Sequence, residues 1–118
     1  MKKFMAVFCG NEHSSKKWQA FSDAERKELE QKGIAAWGSW VEKNKKSLLE
    51  TGSPLGKTLL VNGKGVAATK NDLTAWVVVQ AESHEAAAKL FLDHPHFAIY
   101  PGDRIEVMEC LPIPGQAK

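Results

Sequence analysis

The chain has 118 residues, of which 43% are hydrophobic and 25% are charged, as in an ordinary globular domain. Its 16 basic and 14 acidic residues leave a net charge of +2, a balance that argues against a nucleic-acid or membrane-surface partner. We therefore expect a single domain over residues 1–118 that buries a core of its own and needs no disulfide bonds.

The N-terminal segment indicates a first strand rather than a secretion signal. Phe4–Cys9 is an apolar run of six residues, shorter than the apolar core of a signal peptide, and both of its faces are apolar. No run approaches the roughly 18 apolar residues of a membrane span. We therefore expect a cytoplasmic protein in which Cys9 and Cys110 remain thiols.

A polar loop and a long helix are predicted next. Gly10 to Phe21 should form a polar loop that carries His13 and Trp18. Ser22 and Glu25 have the spacing of a capping box, which predicts a helix from Ser22 to about Lys46. The apolar stripe of this helix follows three- and four-residue spacing and consists of Leu29, Gly33, Ala36, Trp37, Trp40 and Val41.

A turn over residues 51–54 and a hairpin are predicted after this helix. Asn62-Gly63 suits the positive backbone angles of a tight hairpin turn. Thr58–Val61 and Gly65–Ala68 are therefore predicted to pair as the two strands of the hairpin. Lys70 follows the hairpin directly and is a candidate ligand-binding residue.

The last third of the chain predicts the centre of the fold. Ala75–Ala81 is apolar on both faces, which indicates a strand covered on both sides. A helix should then run from Ser83 to about Asp93, followed by a loop over residues 94–103. Arg104–Cys110 is predicted to be the closing strand.

The predicted order is strand, helix, strand with a hairpin, strand, helix, strand. Right-handed crossovers would place both helices on one face of an antiparallel sheet. The predicted fold class is therefore α+β, a ferredoxin-like plait (βαββαβ) with an extra hairpin. Because the first and third strands are apolar on both faces, the face without helices should be covered by a second copy, which predicts a homodimer.

His94 and His96 are the residues best suited to chemistry. Pro95 favours an extended backbone at His94, so two imidazoles one residue apart could approach the same ion or substrate. Three interpretations stay open: a helix stop, in which a His in the last turn precedes Pro; a small-molecule pocket; and a metal site, for which spacing defines no third ligand. His94→Ala is expected to change stability by no more than about 1 kcal/mol.

The order of these segments resembles that of the YCII-related family, which includes the DGPF-type proteins. The matching segments cover nearly the whole chain: Phe4–Phe8, the Ser22 helix, the hairpin ending in Thr69-Lys70, Ala75–Ser83, the Ala86–Ala88 helix, Pro95 and Ile105–Met108. The resemblance implies a subunit that pairs sheet to sheet into a dimeric α+β barrel. The Asp-Gly-Pro-Phe signature is absent and the Ser22 helix has no histidine, so the His–Asp pair suggested as an active site in some members is not transferred to this chain.

Two functions are compatible with these residues. The first is a small-molecule enzyme or binder with a pocket in which His94 and His96 are the catalytic candidates, one of them acting as a general base. The ligand-binding candidates are His13, Trp18, Lys70 and Tyr100. The second function is a non-catalytic dimeric module that binds a metabolite or a protein partner. Convergence of His and Trp side chains on one pocket would favour the first; no metal site and no particular cofactor is predicted.

Overall fold

The computed structural model describes residues 1–115 and contains six strands and four helices within that range. In chain order they are β1 (Lys2–Cys9), α1 (Glu12–Ala20), α2 (Asp23–Lys43), β2 (Leu48–Pro54), β3 (Thr58–Asn62), β4 (Gly65–Thr69), β5 (Leu73–Ala81), α3 (His84–Lys89), α4 (Pro95–Ala98) and β6 (Arg104–Glu109).

Four of the strands form one antiparallel sheet in the order β2-β5-β1-β6. Strands β5 and β1 lie in the middle, and they are the two strands whose residues are apolar on both faces. The strands β3 and β4 pair only with each other, as a separate two-stranded sheet. The α+β class and the antiparallel sheet are therefore confirmed. The predicted hairpin is present, but Asn62 pairs with Gly65, so the turn residues are Gly63 and Lys64, and the positive φ lies at Gly65 rather than at Asn62 or Gly63.

The helices cover one face of the four-stranded sheet. The core on this face joins alternate residues of the central strands to side chains of the helical segments: Phe4, Ala6, Phe8, Trp40, Ala75, Val77, Val79, Ala81, Ala87 and Phe91. Trp40 also donates its indole N–H to the carbonyl oxygen of Leu90 at 3.0 Å. This hydrogen bond ties α2 to the end of α3, and burial of the indole contributes a further few kcal/mol.

The opposite face of the sheet, called the outer face below, carries two rows of side chains that cross the strands. One row is Glu50, Val78, Met5 and Met108, and the other is Ser53, Trp76, Val7 and Glu106. Met5 and Met108 remain 36% and 41% exposed, whereas Val78 is 8% exposed. The register also distinguishes Val78 from Val77 and Val79, which lie in the core.

Residues 12–20 form helix α1, so the prediction of a polar loop between Gly10 and Phe21 is wrong. Asn11 Oδ1 accepts a hydrogen bond from the N–H of Ser14, and Ser14 Oγ accepts one from the N–H of Asn11, both at 2.7 Å. The pair caps the helix start reciprocally, as a Ser–Glu box does. The helix was missed because Asn and Ser take the two roles in place of the usual residue types.

Helix α2 begins at the predicted capping box. Ser22 Oγ accepts from the N–H of Glu25, and the Glu25 carboxylate accepts from the N–H of Ser22. The helix ends at Lys43 rather than near Lys46, because Asn44 forms its C-cap. The predicted start of this helix is therefore confirmed, and its end lies three residues earlier than expected.

Strand β2 occupies the residues predicted to form a turn over 51–54, so that prediction is wrong. The pairing of β2 with β5 shifts register between Glu50 and Ser53. Gly52 lies within this shift with a φ of +67°, and a Cβ there would overlap the carbonyl oxygen of Trp76. The turn-like residues therefore form a bulge in an edge strand, where glycine permits both the backbone angle and the close approach.

The second predicted helix is shorter than expected, and the predicted loop after it contains a helical turn. Helix α3 ends at Lys89, and a turn leads to Asp93. Pro95 then occupies the first turn of α4, with His94 as its N-cap. A proline is tolerated there because its missing N–H would have no partner within the helix. Pro95 therefore begins a helix as well as ending the segment before it.

The two cysteines lie at opposite ends of the β1–β6 pair. Cys9 pairs with Arg104, whereas the N–H of Cys110 donates to the carbonyl oxygen of Lys3 at 2.9 Å. This separation is beyond disulfide reach. Among residues 1–115, no helix combines the length and the apolar character needed to cross a bilayer; the cytoplasmic location stays a prediction.

Replacing Gly52 tests the bulge. Gly52→Ala should lower the free energy of unfolding by about 2 kcal/mol or more, because a Cβ is strained at a positive φ and would strike the Trp76 carbonyl. Gly56→Ala is the matched control, since a Cβ at that position meets nothing within 4 Å. Urea denaturation followed by circular dichroism measures both. Equal stability of the two variants would contradict the bulge geometry.

Candidate functional site

A cavity of about 1100 Å³ lies between α1, α2 and the end of the sheet where β1 and β2 stop and β5 starts. Its remaining wall is formed by the chain from His96 to Gly102. The apolar part of the lining includes Phe8, Trp18, Ile34, Trp37, Val41 and Tyr100. A concave, mainly apolar space of this size, with a few polar groups, has the usual character of a small-molecule site.

Two aromatic pairs form part of the cavity wall. Phe8 and Trp37 are stacked with ring centroids 4.9 Å apart, and Trp18 and Tyr100 are tilted with centroids 5.9 Å apart. Both separations are those of favourable aromatic contacts. The pairs connect β1 to α2 and α1 to the segment after α4, so each wall is held by two elements and the cavity is preformed.

Tyr100 reaches the cavity only because residue 33 is glycine. A Cβ on Gly33 would overlap the hydroxyl group of Tyr100, so the tyrosine lies directly against the backbone of α2. Burial, together with the nearby carboxylate of Glu30, raises the pKa of Tyr100. Its hydroxyl therefore stays protonated near neutral pH and can donate a hydrogen bond into the cavity.

His96 is the buried ionisable residue of the cavity wall, with only 5% of its surface exposed. Its Nε2 lies 2.9 Å from the carbonyl oxygen of Cys9 and 3.1 Å from that of Arg104. Because a carbonyl oxygen can only accept, Nε2 must carry the hydrogen. In the neutral ring Nδ1 is then the basic nitrogen, and it has no hydrogen-bond partner among residues 1–115.

The environment keeps His96 in this neutral form. Burial lowers the pKa of His96, while its hydrogen bonds to the Cys9 and Arg104 carbonyls oppose the shift. Gly102 lies against the ring, since a Cβ there would overlap it. The imidazole is therefore held in one orientation and one tautomer at neutral pH, the state required of a proton acceptor.

His94 lies behind the cavity wall and is fully buried. Its ring packs edge-on against Phe8, Trp37 and Trp40, with centroids 4.6, 4.3 and 4.7 Å away. Nδ1 accepts a hydrogen bond from the N–H of His96 at 3.0 Å, which caps α4, and Nε2 is buried without a partner among residues 1–115. Burial first, and His96 second, lower the pKa of His94 to about 3.

The structure brings together four of the six candidate residues. His96, Trp18, Lys70 and Tyr100 line the cavity. His94 does not line it, and His13 lies exposed on α1 away from the lining. Both His94 and His96 are buried. The aromatic rings around His94 exclude water from the start of α4.

The polar residues of the cavity lining were not predicted from the sequence. They come largely from the start of α1, with Asn11, Glu12, Ser14 and Lys16, and from Asp72 before β5. Lys16 and Glu12 form an exposed ion pair at 3.3 Å. The Asn11–Ser14 cap is the signal that could have located these residues, since it predicts a helix that directs one turn toward the end of β1.

A shared metal ion between His94 and His96 gains no support from the geometry. Within residues 1–115, no group of three His, Cys, Asp or Glu side chains is arranged to hold a metal ion. His94 Nδ1 is engaged by a backbone N–H, and His96 Nε2 is engaged by two carbonyl oxygens. The nitrogens that remain belong to rings on opposite sides of the cavity wall.

Comparison with known proteins finds a likeness in fold. No family model matches the chain, and no curated protein matches it. Among solved structures, the chain is similar to 5-chloro-2-hydroxyhydroquinone dehydrochlorinase (TftG) from Burkholderia phenoliruptrix AC1100, in complex with 2,5-dihydroxybenzoquinone. The TM-score is 0.52, the identity is 16%, and the match covers 90% of each chain. The two proteins therefore share a mixed α+β architecture over nearly their full lengths.

Buried His94 should make the protein sensitive to acid. Its folded pKa of about 3 lies below the ordinary value of 6.5, so below about pH 6.5 the unfolded chain binds a proton that the folded ring refuses. The stability contributed by the neutral ring is complete above that pH and is lost as the pH falls toward 3. Between pH 7 and pH 5 this group should remove about 2 kcal/mol from the free energy of unfolding.

Two variants isolate this effect. His94→Asn keeps a capping oxygen but removes the imidazole, so its loss of stability between pH 7 and pH 5 should be smaller than that of the wild type by about 2 kcal/mol. His13→Asn changes an exposed imidazole and should retain the wild-type loss. Parallel pH dependence in the wild type and both variants would contradict the assignment of this effect to His94.

At pH 7, His94→Ala should be destabilised by roughly 2–4 kcal/mol, in place of the smaller change expected from sequence, because the ring is fully buried.

Proposed function

We propose that the cavity binds a small molecule with a largely apolar ring system, and that His96 accepts a proton from it. The observation that carries the proposal is the convergence of a neutral, oriented imidazole with Trp18, Trp37 and Tyr100 on one preformed cavity. Flat aromatic walls favour a planar ligand. The ligand would carry an acidic O–H or C–H group within reach of the imidazole.

The charged residues of the cavity lining fit this role. Removal of a proton leaves negative charge on the ligand, and Lys70 is a cation of the lining that can compensate for it. The Tyr100 hydroxyl, whose pKa is raised by burial, can donate a hydrogen bond to the same charge. His96 in turn keeps its Nε2–H on the Cys9 and Arg104 carbonyls, which stabilise the imidazolium once it forms.

The likeness to TftG suggests the first probe rather than the substrate. That structure holds 2,5-dihydroxybenzoquinone, which is a small planar ring with acidic hydroxyl groups and so has the chemistry argued above. The alternative function is a non-catalytic dimeric module that binds a metabolite or a protein partner. An apolar cavity with a proton acceptor in its wall favours enzyme or binder over a purely structural module. No cofactor is assigned.

We also propose a homodimer that forms through the outer faces of two sheets, within the ferredoxin-like plait of the YCII-related, dimeric α+β barrel type. The strand order β2-β5-β1-β6 with helices on one face supports the plait. The apolar side chains at the centre of the outer face support the contact: Met5, Val7, Trp76, Val78 and Met108. Burial of such a patch in a second sheet would remove it from water.

Filling the cavity tests the binding proposal. Gly38 lines the cavity, and a Cβ there meets nothing within 4 Å, so Gly38→Leu should occupy the ligand space. The variant should be no less stable than the wild type, because glycine inside a helix is about 1 kcal/mol less favourable than leucine. Calorimetric titration with 2,5-dihydroxybenzoquinone and a panel of small phenols should show binding to the wild type and to the control Gly56→Leu, and none to Gly38→Leu.

His96→Gln tests the proton acceptor in the same titrations. The glutamine amide can still donate to the Cys9 and Arg104 carbonyls, but it cannot take up a proton, so affinity for the acidic ring probe should fall tenfold or more. His13→Gln is the control outside the cavity. Equal binding of the probes to the wild type and to Gly38→Leu would refute the cavity as the binding site. Unchanged affinity in His96→Gln alone would favour the non-catalytic module.

The outer-face contact is tested by charge insertion. Met5→Glu should convert the dimer to a monomer at micromolar concentration, since each dimer would bury two uncompensated carboxylates. Val78→Asp should act in the same direction. Leu92→Glu is the control, because Leu92 is 76% exposed and follows α3 on the helical side. Sedimentation velocity measures all four proteins, and a monomeric wild type would refute the dimer.

A further inference from the structure

The β3–β4 hairpin carries a group of exposed apolar side chains outside the four-stranded sheet. Directly paired residues share a face of a hairpin, so Leu59 and Ala68 lie on the same face as Val61 and Val66. Leu59, Val61 and Val66 are 66%, 72% and 66% exposed. This side of the hairpin, called the ladder face below, is therefore apolar along its whole length and uncovered within residues 1–115.

The hairpin does not gain its stability from the rest of the sheet. Its two strands hydrogen-bond only to each other, and an isolated two-stranded hairpin is marginal in water. An exposed run of leucine and valine on such an element is also a hazard for unspecific association. Both properties are explained if the ladder face packs against another surface in the working protein.

The charge of the hairpin indicates what kind of surface this is. Residues 55–71 contain Lys57, Lys64 and Lys70 and no acidic residue. The remainder of the chain is nearly neutral, with 13 basic and 14 acidic residues. The two rows of the outer face contain the carboxylates Glu50 and Glu106 and no lysine, and Glu106 is paired with Arg104 at 2.7 Å. Glu50 is therefore the carboxylate of the outer face that a lysine of a second copy can approach, which makes a second copy a suitable partner for the hairpin.

The area of the sheet is compatible with the same partner. Four strands about 4.8 Å apart and roughly 20–25 Å long give the outer face a flat footprint of roughly 400–500 Å². The ladder face, two strands wide and five residues long, has a flat footprint on the order of 150 Å². A dimer in which each hairpin also contacts the partner would therefore enlarge the contact of each subunit by about a third.

We propose that the β3–β4 hairpin is an arm that docks its ladder face on a second copy of this chain and so extends the contact between the outer faces. The proposal rests on the homodimer proposed above. The two arms of a symmetric dimer would each contact the opposite subunit. The lysines of the arm would lie near carboxylates of the partner, and the leucine and valine side chains would be removed from water.

A charge on either face of the same strand tests the arm. Leu59→Glu and Val61→Glu alter the ladder face, and Leu60→Glu places the same charge on the opposite face of β3. Because two arms change in every dimer, each ladder variant should raise the dimer dissociation constant at least tenfold, and Leu60→Glu should change it less than threefold. Sedimentation velocity over a concentration series gives the constants. Circular dichroism should show unchanged folding, since the altered side chains are exposed.

The outcomes separate the arm from the dimer. Ladder variants that dimerise like the wild type, while Met5→Glu dissociates, would overturn the arm and leave the outer-face contact in place. A wild type that stays monomeric at the highest concentration would overturn both. A different outcome is that the wild type floats with vesicles of phosphatidylcholine and phosphatidylserine while Leu59→Glu does not, with no change in dimerisation. That result would show that the ladder face binds a lipid surface, and it would overturn the proposal. Dissociation in the ladder variants but not in Met5→Glu would place the dimer contact on the hairpins alone, and would overturn both the outer-face contact and the proposal that the arm extends it.

Discussion

The site depends on the pair of hydrogen bonds from His96 Nε2 to the carbonyl oxygens of Cys9 and Arg104. These carbonyls belong to the last residue of β1 and the first residue of β6, which pair with each other. One imidazole therefore joins the short helix α4 to the two strands at the end of the sheet. A buried N–H shared by two carbonyl oxygens in an apolar surrounding is stronger than the same contact in water. Together with the hydrogen bond from the Asp103 N–H to the same Cys9 carbonyl at 3.1 Å, it positions the wall formed by residues 96–102.

His94 supports this contact from behind. It caps α4 through Nδ1 and fills the space between Phe8, Trp37 and Trp40. The imidazole is thus used twice, as a hydrogen-bond acceptor for the helix start and as an aromatic ring in the core. Its Nε2 has no partner in the described part of the chain, and such a buried polar atom costs about 1–3 kcal/mol. A phenyl ring at this position would avoid the cost, but it could not accept the hydrogen bond that caps α4.

Much of the architecture could be predicted because the relevant signals are local. The apolar run at Ala75–Ala81, the Ser22–Glu25 box and Asn62-Gly63 each act over a few residues, and each marks the element expected. Strand β2 was missed because Gly52 and Pro54 are turn-forming residues in isolation, whereas pairing with β5 decides their structure. Residues whose conformation depends on a distant partner cannot be assigned from neighbours in the chain.

The same limit explains the site. His96 was a candidate because it lies one residue from His94, and Trp18, Lys70 and Tyr100 were candidates for ligand binding; all four line the cavity. His94 was paired with His96 by sequence proximity, but one residue of separation across a helix start directs the two rings to different sides of the wall. The role of Gly33 was invisible, because the tyrosine that requires it lies 67 positions further along the chain.

The separation of the β3–β4 hairpin from the four-stranded sheet affects how the protein can change over time. Since no ladder of hydrogen bonds connects the two sheets, the hairpin can open and exchange its amide hydrogens without opening the core. Substitutions, insertions or even removal of the hairpin should therefore leave the folding of the main sheet intact. Selection can alter this element independently of His96 and the cavity, so the surface that the protein presents and the chemistry that it encloses can evolve at different rates.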